Sequence, residues 1–366
     1  MQPKGRRGNS GVTIHDVARA AGVSPMTVSR VVSGEKNVRP ATRERVAAVV
    51  RELGYSPNLA ARTLASAETV RIGLLYSNPS AAYLSEFLVG SLEQSSFGGR
   101  QLILERCDTP DSERAAIEKL LGAGVNGIIL PPPLCDSPTA LAAVAGIPAV
   151  AVATGRPAES SSVRIDDKAA ALAMTRRLIQ LGHSDIGFII GHPNQTASAQ
   201  RHAGFLEAMA EAGLKVAPDQ VVQGYFTYRS GLEAAQQLLA QPTRPSAIFA
   251  SNDDMAAATI AVAHRQGLNV PGDLTVVGYD DSPLATTIWP ALTTVRQPIA
   301  DMARAAVDIL VEDIRNRRAG EPGVTQHQLM DFALIERESS GPGPNAKRSP
   351  ATDARALDRT APNVDW

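Results

Sequence analysis

The chain has 366 residues, enough for two or three domains, and an ordinary soluble composition with 44% apolar and 20% charged residues. Its net charge of −1 hides an imbalance: residues 1–71 hold 12 Lys/Arg against 5 Asp/Glu, and the remainder 24 against 32. A basic module joined to an acidic body makes the N-terminal end the candidate nucleic-acid binder. The two cysteines, Cys107 and Cys135, lie in no CxxC or Cys/His cluster, which argues against a zinc site and for free thiols in a reducing compartment. No apolar run reaches the ~20 residues of a membrane span, and no apolar segment follows the basic start as in a secretory signal. Cytoplasmic location is therefore expected, with no metal and no cofactor.

In chain order, residues 1–11 read as a disordered basic arm and 12–57 as a bundle of three short helices. Thr13 can cap the first helix, with Asp16 three residues on. Ile14, Val17 and Ala18 face inward, and Ala21–Gly22 makes a turn. Ser24 caps the second helix, and Pro25 sits at its first position, where a missing N–H costs little. Val28, Val31 and Val32 pack inward, which leaves Met26, Thr27, Ser29 and Arg30 outward. Val46, Val49, Val50 and Leu53 form the inner face of a third helix that stops at Gly54.

This spacing predicts a helix-turn-helix whose second helix enters the DNA major groove. Arg30 can donate two hydrogen bonds to guanine, and Met26 and the Pro25 ring can touch a thymine methyl. A plain three-helix bundle is the bland alternative. The connector 58–69 strengthens the DNA reading. Ser56 and Pro57 start a short helix from Asn58 to Ala65, too short to stand alone in water. Leu64 would project from it as a wedge for the minor groove, or else pack on the body as a linker residue.

From Val70 to Glu338 short β-branched runs alternate with helical segments. The strands are expected at 70–76, 100–105, 125–130, 147–153, 186–190, 246–251 and 274–279. The helices are expected at 83–97, 112–122, 167–181, 198–212, 229–240 and 254–266. Such alternation implies parallel sheets, here two doubly wound lobes with a ligand cleft at the strand carboxyl ends. The Pro-, Ser- and charge-rich segment 339–366 reads as a flexible tail.

The segments VTIHDVARAAGVSPMTVSRVVSG, TRERV, LGYSPNLAARTL, LGHSDIGFI, ASNDDMA, VPGDLTVVGYDD and PALTTVRQP, in that order, resemble the LacI/GalR family of bacterial transcription regulators. The likeness spans residues 12–338. It implies an all-α helix-turn-helix DNA-binding domain, a hinge helix and an α/β periplasmic-binding-protein-like core of two doubly wound lobes. It further implies a homodimer that represses genes, often of sugar uptake or catabolism, by binding a pseudo-palindromic double-stranded operator, with affinity set by a small effector. By the same resemblance Pro25, Met26 and Arg30 fall at base-reading positions, Ser33 and Asn37 at phosphate-contacting ones, and Leu64 at the intercalating leucine. The candidate DNA-contacting set is Thr13, Ser24, Pro25, Met26, Thr27, Ser29, Arg30, Ser33, Asn37, Asn58, Arg62 and Leu64. One departure is Arg39–Pro40, where relatives start the third helix with a capping Ser or similar residue; the proline keeps the start and the cap bond is lost.

The family's effector positions fall on Ser77, Tyr83, Arg201, Phe226, Asn252 and Asp280. Arg201 and Asp280 can each bind two hydroxyls and Phe226 can stack on a sugar ring, a set suited to an uncharged mono- or oligosaccharide. Each has a plainer role open to it: Asn252 and Asp280 as helix caps, Phe226 as core, Arg201 in a surface ion pair. Relatives commonly carry a pocket aspartate where this chain has Ala153, followed by Thr154–Gly155. A nucleoside or other metabolite as effector, an effector-independent regulator, or a sugar-binding carrier are the alternatives. An enzyme is disfavoured, because neither GHSD nor GYDD offers a nucleophile with a base.

Overall fold

The computed structural model describes residues 12–32, 39–53, 69–107, 109–155 and 160–346. Its contacts divide into two units, one up to Thr69 and one from Val70.

The first unit holds α1 (Ile14–Ala21), α2 (Pro25–Val32) and α3 (Pro40–Glu52). Each boundary has a local cause. Thr13 and Asp16 form a reciprocal capping box, with the Thr13 backbone N–H donating to Asp16 Oδ2 at 3.0 Å and Asp16 N–H donating to Thr13 Oγ1 at 3.4 Å. These Thr13 bonds, the side-chain one first, hold the Asp16 carboxyl below its ordinary range. Gly22 ends α1 in the left-handed region at φ 62°, where a side chain would be strained. Ser24 Oγ accepts the Thr27 N–H at 3.2 Å and caps α2. Arg39 precedes α3 without a side-chain cap bond and Pro40 opens the helix. Val17, Ala18, Ala21, Val28 and Val46 are the buried core, with Ile14, Val31, Val49 and Val50 packed around them.

The second unit begins with β1 (Arg71–Tyr76), α4 (Ala81–Ser95), β2 (Gln101–Arg106), α5 (Pro110–Gly122), β3 (Gly127–Leu130), α6 (Pro138–Ala143), β4 (Ala149–Val152) and β5 (Ser161–Arg164). The chain then crosses to a second lobe of α7 (Asp167–Gln180), β6 (Ile186–Ile190), α8 (Thr196–Glu211), β7 (Val221–Gln223), α9 (Tyr228–Leu239), β8 (Ala247–Ala250), α10 (Asp253–Arg265), β9 (Thr275–Asp280), α11 (Leu284–Thr287) and β10 (Thr293–Arg296). It returns through α12 (Ile299–Arg318), which packs on α4 and on β3, β4 and β5, and closes with β11 (His327–Leu329) and β12 (Ala333–Ile335).

The strand orders are β11-β5-β4-β3-β1-β2 in the first lobe and β12-β10-β9-β8-β6-β7 in the second. Every pairing is parallel except β12 against β10. Fully buried strands such as β3, β4, β8 and β9 are the apolar runs of the sequence, as parallel strands covered on both faces must be. Three chain crossings tie the lobes, so the strand ends face one another across a cleft.

The structure adds the short strands β5, β7, β10, β11 and β12 and the short helices α6 and α11 to the sequence expectations, and it differs from them in two larger ways. The flexible tail does not start at Ser339: Ser339 is fully buried, its hydroxyl donates to the Val276 carbonyl at 2.6 Å, and Gly343 N–H donates to the Leu181 carbonyl at 2.7 Å. Residues 339–346 thus belong to the second lobe, held by backbone bonds that their polar composition does not announce. The helix α12, at 20 residues the longest among the described residues, is the second omission. Both cysteines are buried and free. Among the described residues no helix is long and apolar enough to cross a membrane.

Candidate DNA-reading surface and effector cleft

On α2 the packing divides the helix into two faces. Val28 is fully buried while Pro25, Met26 and Arg30 are exposed, with Met26 at 64%. An exposed methionine at a helix start serves no packing purpose and is available for an apolar contact. Thr27 is half-buried, and its hydroxyl lies 2.9 Å from Ser24 Oγ, so both hydroxyls are engaged in holding the helix start. Thr13 is likewise occupied by its capping box, donating from Oγ1 to Asp16 Oδ2 at 2.6 Å. Ser29 lies on the same helix. Ser33, Asn37, Asn58, Arg62 and Leu64 lie outside the described residues.

The cleft of the second unit is lined by Asn78, Ser80, Tyr83, Pro132, Ala153, Gln195, Ala197, Arg201, Phe226, Asn252, Asp280 and Gln297. Five of the six expected effector residues are in this set. Ser77 is not: β1 ends at Tyr76, and Asn78 and Ser80 supply the lining from that loop instead.

Arg201, on the buried face of α8, anchors the site. Its Nε donates to Asp167 Oδ1 at 2.8 Å and its Nη1 to the Ser251 carbonyl at 2.6 Å. Its guanidinium carbon lies 3.5 Å from the centre of the Tyr279 ring, a cation–π contact, and the Tyr279 hydroxyl donates to the same Asp167 oxygen at 2.9 Å. Burial works against the Arg201 charge, but Asp167 first, then Tyr279 and Asp280, outweigh it and hold the group firmly protonated. The ion pair is therefore buried, between α7 and α8, and not a surface one.

Asp280 ends β9 in a left-handed conformation at φ 118° and accepts from Gln297 Nε2 at 2.6 Å. Arg201 Nη1 stands 3.8 Å from its Oδ1. Burial pushes the Asp280 carboxyl well up, against the pull of Arg201. Asn252 caps α10, with its Oδ1 accepting Met255 N–H at 3.0 Å, while its Nδ2 donates to the Phe226 carbonyl at 3.0 Å. The capping role and a place in the cleft thus coexist in one side chain. Phe226, at φ 60°, presses its ring onto Gly191, where an added Cβ would lie 2.0 Å from the ring.

Two polar groups of this lining are unsatisfied. Tyr83 Oη and Gln195 Nε2 are buried with no hydrogen-bond partner among the described residues. Burial raises the Tyr83 hydroxyl well above its ordinary range, so it stays a donor. Across the cleft mouth Ser80 Oγ, at the cap of α4, donates to Asp254 Oδ2 of α10 at 2.8 Å and joins the lobes. The free room in the cleft is about 20 Å³, roughly that of one water. A larger ligand requires the lobes to part.

The residues that sequence reasoning missed are Asn78, Ser80, Gln195 and Gln297 in the lining and Asp167 and Tyr279 beneath Arg201. Asp167 follows β5 and Gln297 follows β10, both at crossings between lobes, so their meeting depends on topology and leaves no local signal.

Residues 13–58 match the family of bacterial regulatory proteins, lacI family, and residues 175–340 match the periplasmic binding protein-like domain. The HTH-type transcriptional repressor PurR of Escherichia fergusonii is 37% identical over 341 residues, 91% of this chain and 98% of the relative. Among solved structures, the complex of the transcriptional regulator CelR with cellobiose aligns with a TM-score of 0.68 at 33% identity, over 90% of this chain and all of the other. The lac repressor dimer bound to operator and the anti-inducer ONPF aligns with a TM-score of 0.72 at 28% identity, over 91% of this chain and all of the other. With the helix-turn-helix unit ahead of two parallel α/β lobes and relatives alike along nearly their whole length, the chain belongs to the lacI family of bacterial regulatory proteins, as a DNA-binding transcriptional regulator with a periplasmic-binding-protein-like effector domain.

Proposed function

We propose that this regulator represses genes of sugar uptake or catabolism, and that its effector is an uncharged mono- or oligosaccharide held between the lobes. The observation that carries this reading is the charge balance of the cleft. Arg201 is already matched by Asp167 at 2.8 Å and faces Asp280 at 3.8 Å, so no positive charge is left over for a phosphate or carboxylate. What remains for a ligand is hydrogen bonding, from Tyr83 Oη and Gln195 Nε2, beside the Phe226 ring. Hydroxyls and ring C–H groups of a sugar match that set. The similarity to a cellobiose-bound regulator supports the same class. Ala153 stands where relatives commonly carry an aspartate, so one hydroxyl contact must come from elsewhere, and Gln195 in the lining supplies a free donor for it.

On DNA the regulator acts as a homodimer that reads a pseudo-palindromic operator, one α2 helix per half-site. Arg30 reads guanine, and Met26 and Pro25 supply apolar contacts. The likeness to an operator-bound repressor dimer supports this arrangement. Parting or closing of the lobes by effector changes operator affinity, and by linkage operator changes effector affinity by the same factor.

A thermal-shift panel of neutral mono- and disaccharides, sugar phosphates and nucleobases on the full chain tests the effector class. A neutral sugar at about 100 times its Kd stabilises by ~2.7 kcal/mol, and the same sugar changes affinity for an operator selected from randomised duplexes. Binding only of a sugar phosphate or a nucleobase overturns the proposal.

A further inference from the structure

A second cavity, larger than the cleft, lies apart from it. It lies in the first lobe, between α6, the turn after it, β4 and the carboxyl end of α12, and measures about 570 Å³ against about 20 Å³ for the cleft. That volume falls in the range of small-molecule sites, about 300–1,000 Å³. Its walls are mainly aliphatic: Leu141, Val144, Ile147, Ala149 and Val324. The charged groups in the wall, Asp313 and Arg317, cancel one another, with Arg317 Nε donating to Asp313 Oδ1 at 3.0 Å and Arg317 Nη1 to the Gly146 carbonyl at 3.3 Å. One polar atom of the wall has no partner: Ser160 Oγ is buried and makes no hydrogen bond among the described residues. A packed protein rarely leaves a buried hydroxyl unused beside an apolar space of this size.

We propose that this cavity is a second small-molecule site, for an uncharged aromatic or alicyclic compound that carries one hydrogen-bonding group. The aliphatic walls take the ring, Ser160 Oγ takes the polar group, and the closed Asp313–Arg317 pair gives an anion no advantage. The site is connected to the cleft through the chain itself. Ala153 lines the cleft and its neighbour Thr154 lines the cavity, with Ala153 in the left-handed region at φ 57°. Thr154 Oγ1 donates to the buried Asp136 at 2.6 Å, which fixes the strand end between the two sites. A molecule in the cavity therefore presses on the residue next to the cleft wall, as a modulator of effector binding would. The binding claim stands independently of the effector class proposed above.

Indole serves as the probe, with methyl-resolved NMR of the full chain as the readout. Indole is expected to give saturable shifts at the Leu141, Val144, Ile147 and Val324 methyls. Indene, of the same shape without the N–H, binds roughly 2- to 10-fold more weakly, the worth of one hydrogen bond, and Ser160→Ala removes that difference. Ala142→Trp, which enlarges a lining side chain, is expected to abolish the shifts; Val324→Trp, at another lining residue, serves if the first variant does not fold. Absence of saturable shifts at these methyls, or equal indole binding by wild type and the filled variants, overturns the proposal.

Discussion

The helix α2 and the interlobe cleft offer recognition groups under opposite conditions. On α2, Met26 is 64% exposed while Val28 is fully buried, so Met26, proposed to touch the bases, lies off the packing face. In the cleft, Arg201 and Asp280 are each 5% exposed and bonded to Asp167, the Ser251 carbonyl and Gln297. Groups held that way are preorganised for a ligand, and they also hold the lobes' elements together. If these groups act as proposed, recognition by Met26 is separable from stability, and recognition by Arg201 and Asp280 is not.

The largest effect that tests this contrast comes from Asp167. Asp167→Ala leaves the Arg201 guanidinium buried without its closest counter-charge and the Tyr279 hydroxyl without its acceptor. Removing one partner of a buried pair costs about 3–5 kcal/mol, and urea melts of the core should show a loss of that order. Effector binding should fall with it, because Arg201 loses its fixed position. A variant with wild-type stability and lost effector binding would show that the two properties separate in the cleft as well.

The pH response of the core is the next largest effect. Asp253, at the start of α10, is pushed up to about 7 by burial, against the pull of hydrogen bonds from Thr294 Oγ1 and the Ser282 N–H; Asp281 nearby raises it further. Asp280 shifts in the same direction and faces Asp253. A folded carboxyl with a raised pKa binds its proton more tightly than the unfolded chain does. Its contribution is therefore fully present below the ordinary value of 3.8 and is lost as pH rises through about 7. Urea midpoints of the core should fall across that window, and Asp253→Asn should flatten the slope. Nothing comparable is expected for α2.

Arg30→Ala tests the other side. It should relax preference at one base pair of each half-site by ~1–3 kcal/mol in binding-site selection, with the melting of the core unchanged. An unchanged base preference removes Arg30 from the reading set.

The same contrast explains what the sequence disclosed. Caps, turn and apolar spacing of α1 to α3 are local, so Thr13, Gly22, Ser24, Pro25 and the inward valines were legible residue by residue. The buried strands were legible because parallel strands covered on both faces are continuous apolar runs. Short strands of three or four residues, such as β5, β7 and β11, carry too little pattern to read. In the cleft, Tyr83, Arg201, Phe226, Asn252 and Asp280 were reached through the family resemblance and not through local pattern. Asp167 and Gln297 gain their roles from chain crossings between lobes, Tyr279 gains its role from its bond to Asp167, and Ser80 meets Asp254 across 174 positions of sequence. The helix α12 is a different case, because Met302, Ala306, Ile309 and Val307 repeat at helical spacing and the signal is present in the sequence.

The smallest effects sharpen the comparison most, because they use one chemistry in two settings. Thr13 and Asn252 both cap a helix by accepting a backbone N–H. Loss of such a cap costs about 0.5–2 kcal/mol. Thr13→Ala should sit near the low end, since its site is exposed and water can replace the bond, and effector binding should not change. Asn252→Ala should sit at the high end, since its Nδ2 also satisfies the buried Phe226 carbonyl, which then loses its partner. Asn252 lines the cleft, so effector affinity should fall as well, and calorimetric titration of both variants with the effector found in the thermal-shift panel compares them directly. Equal stability losses with unchanged effector affinity in both would mean that Asn252 acts as a cap alone, and that the cleft is less tightly coupled to its scaffold than its buried bonds imply.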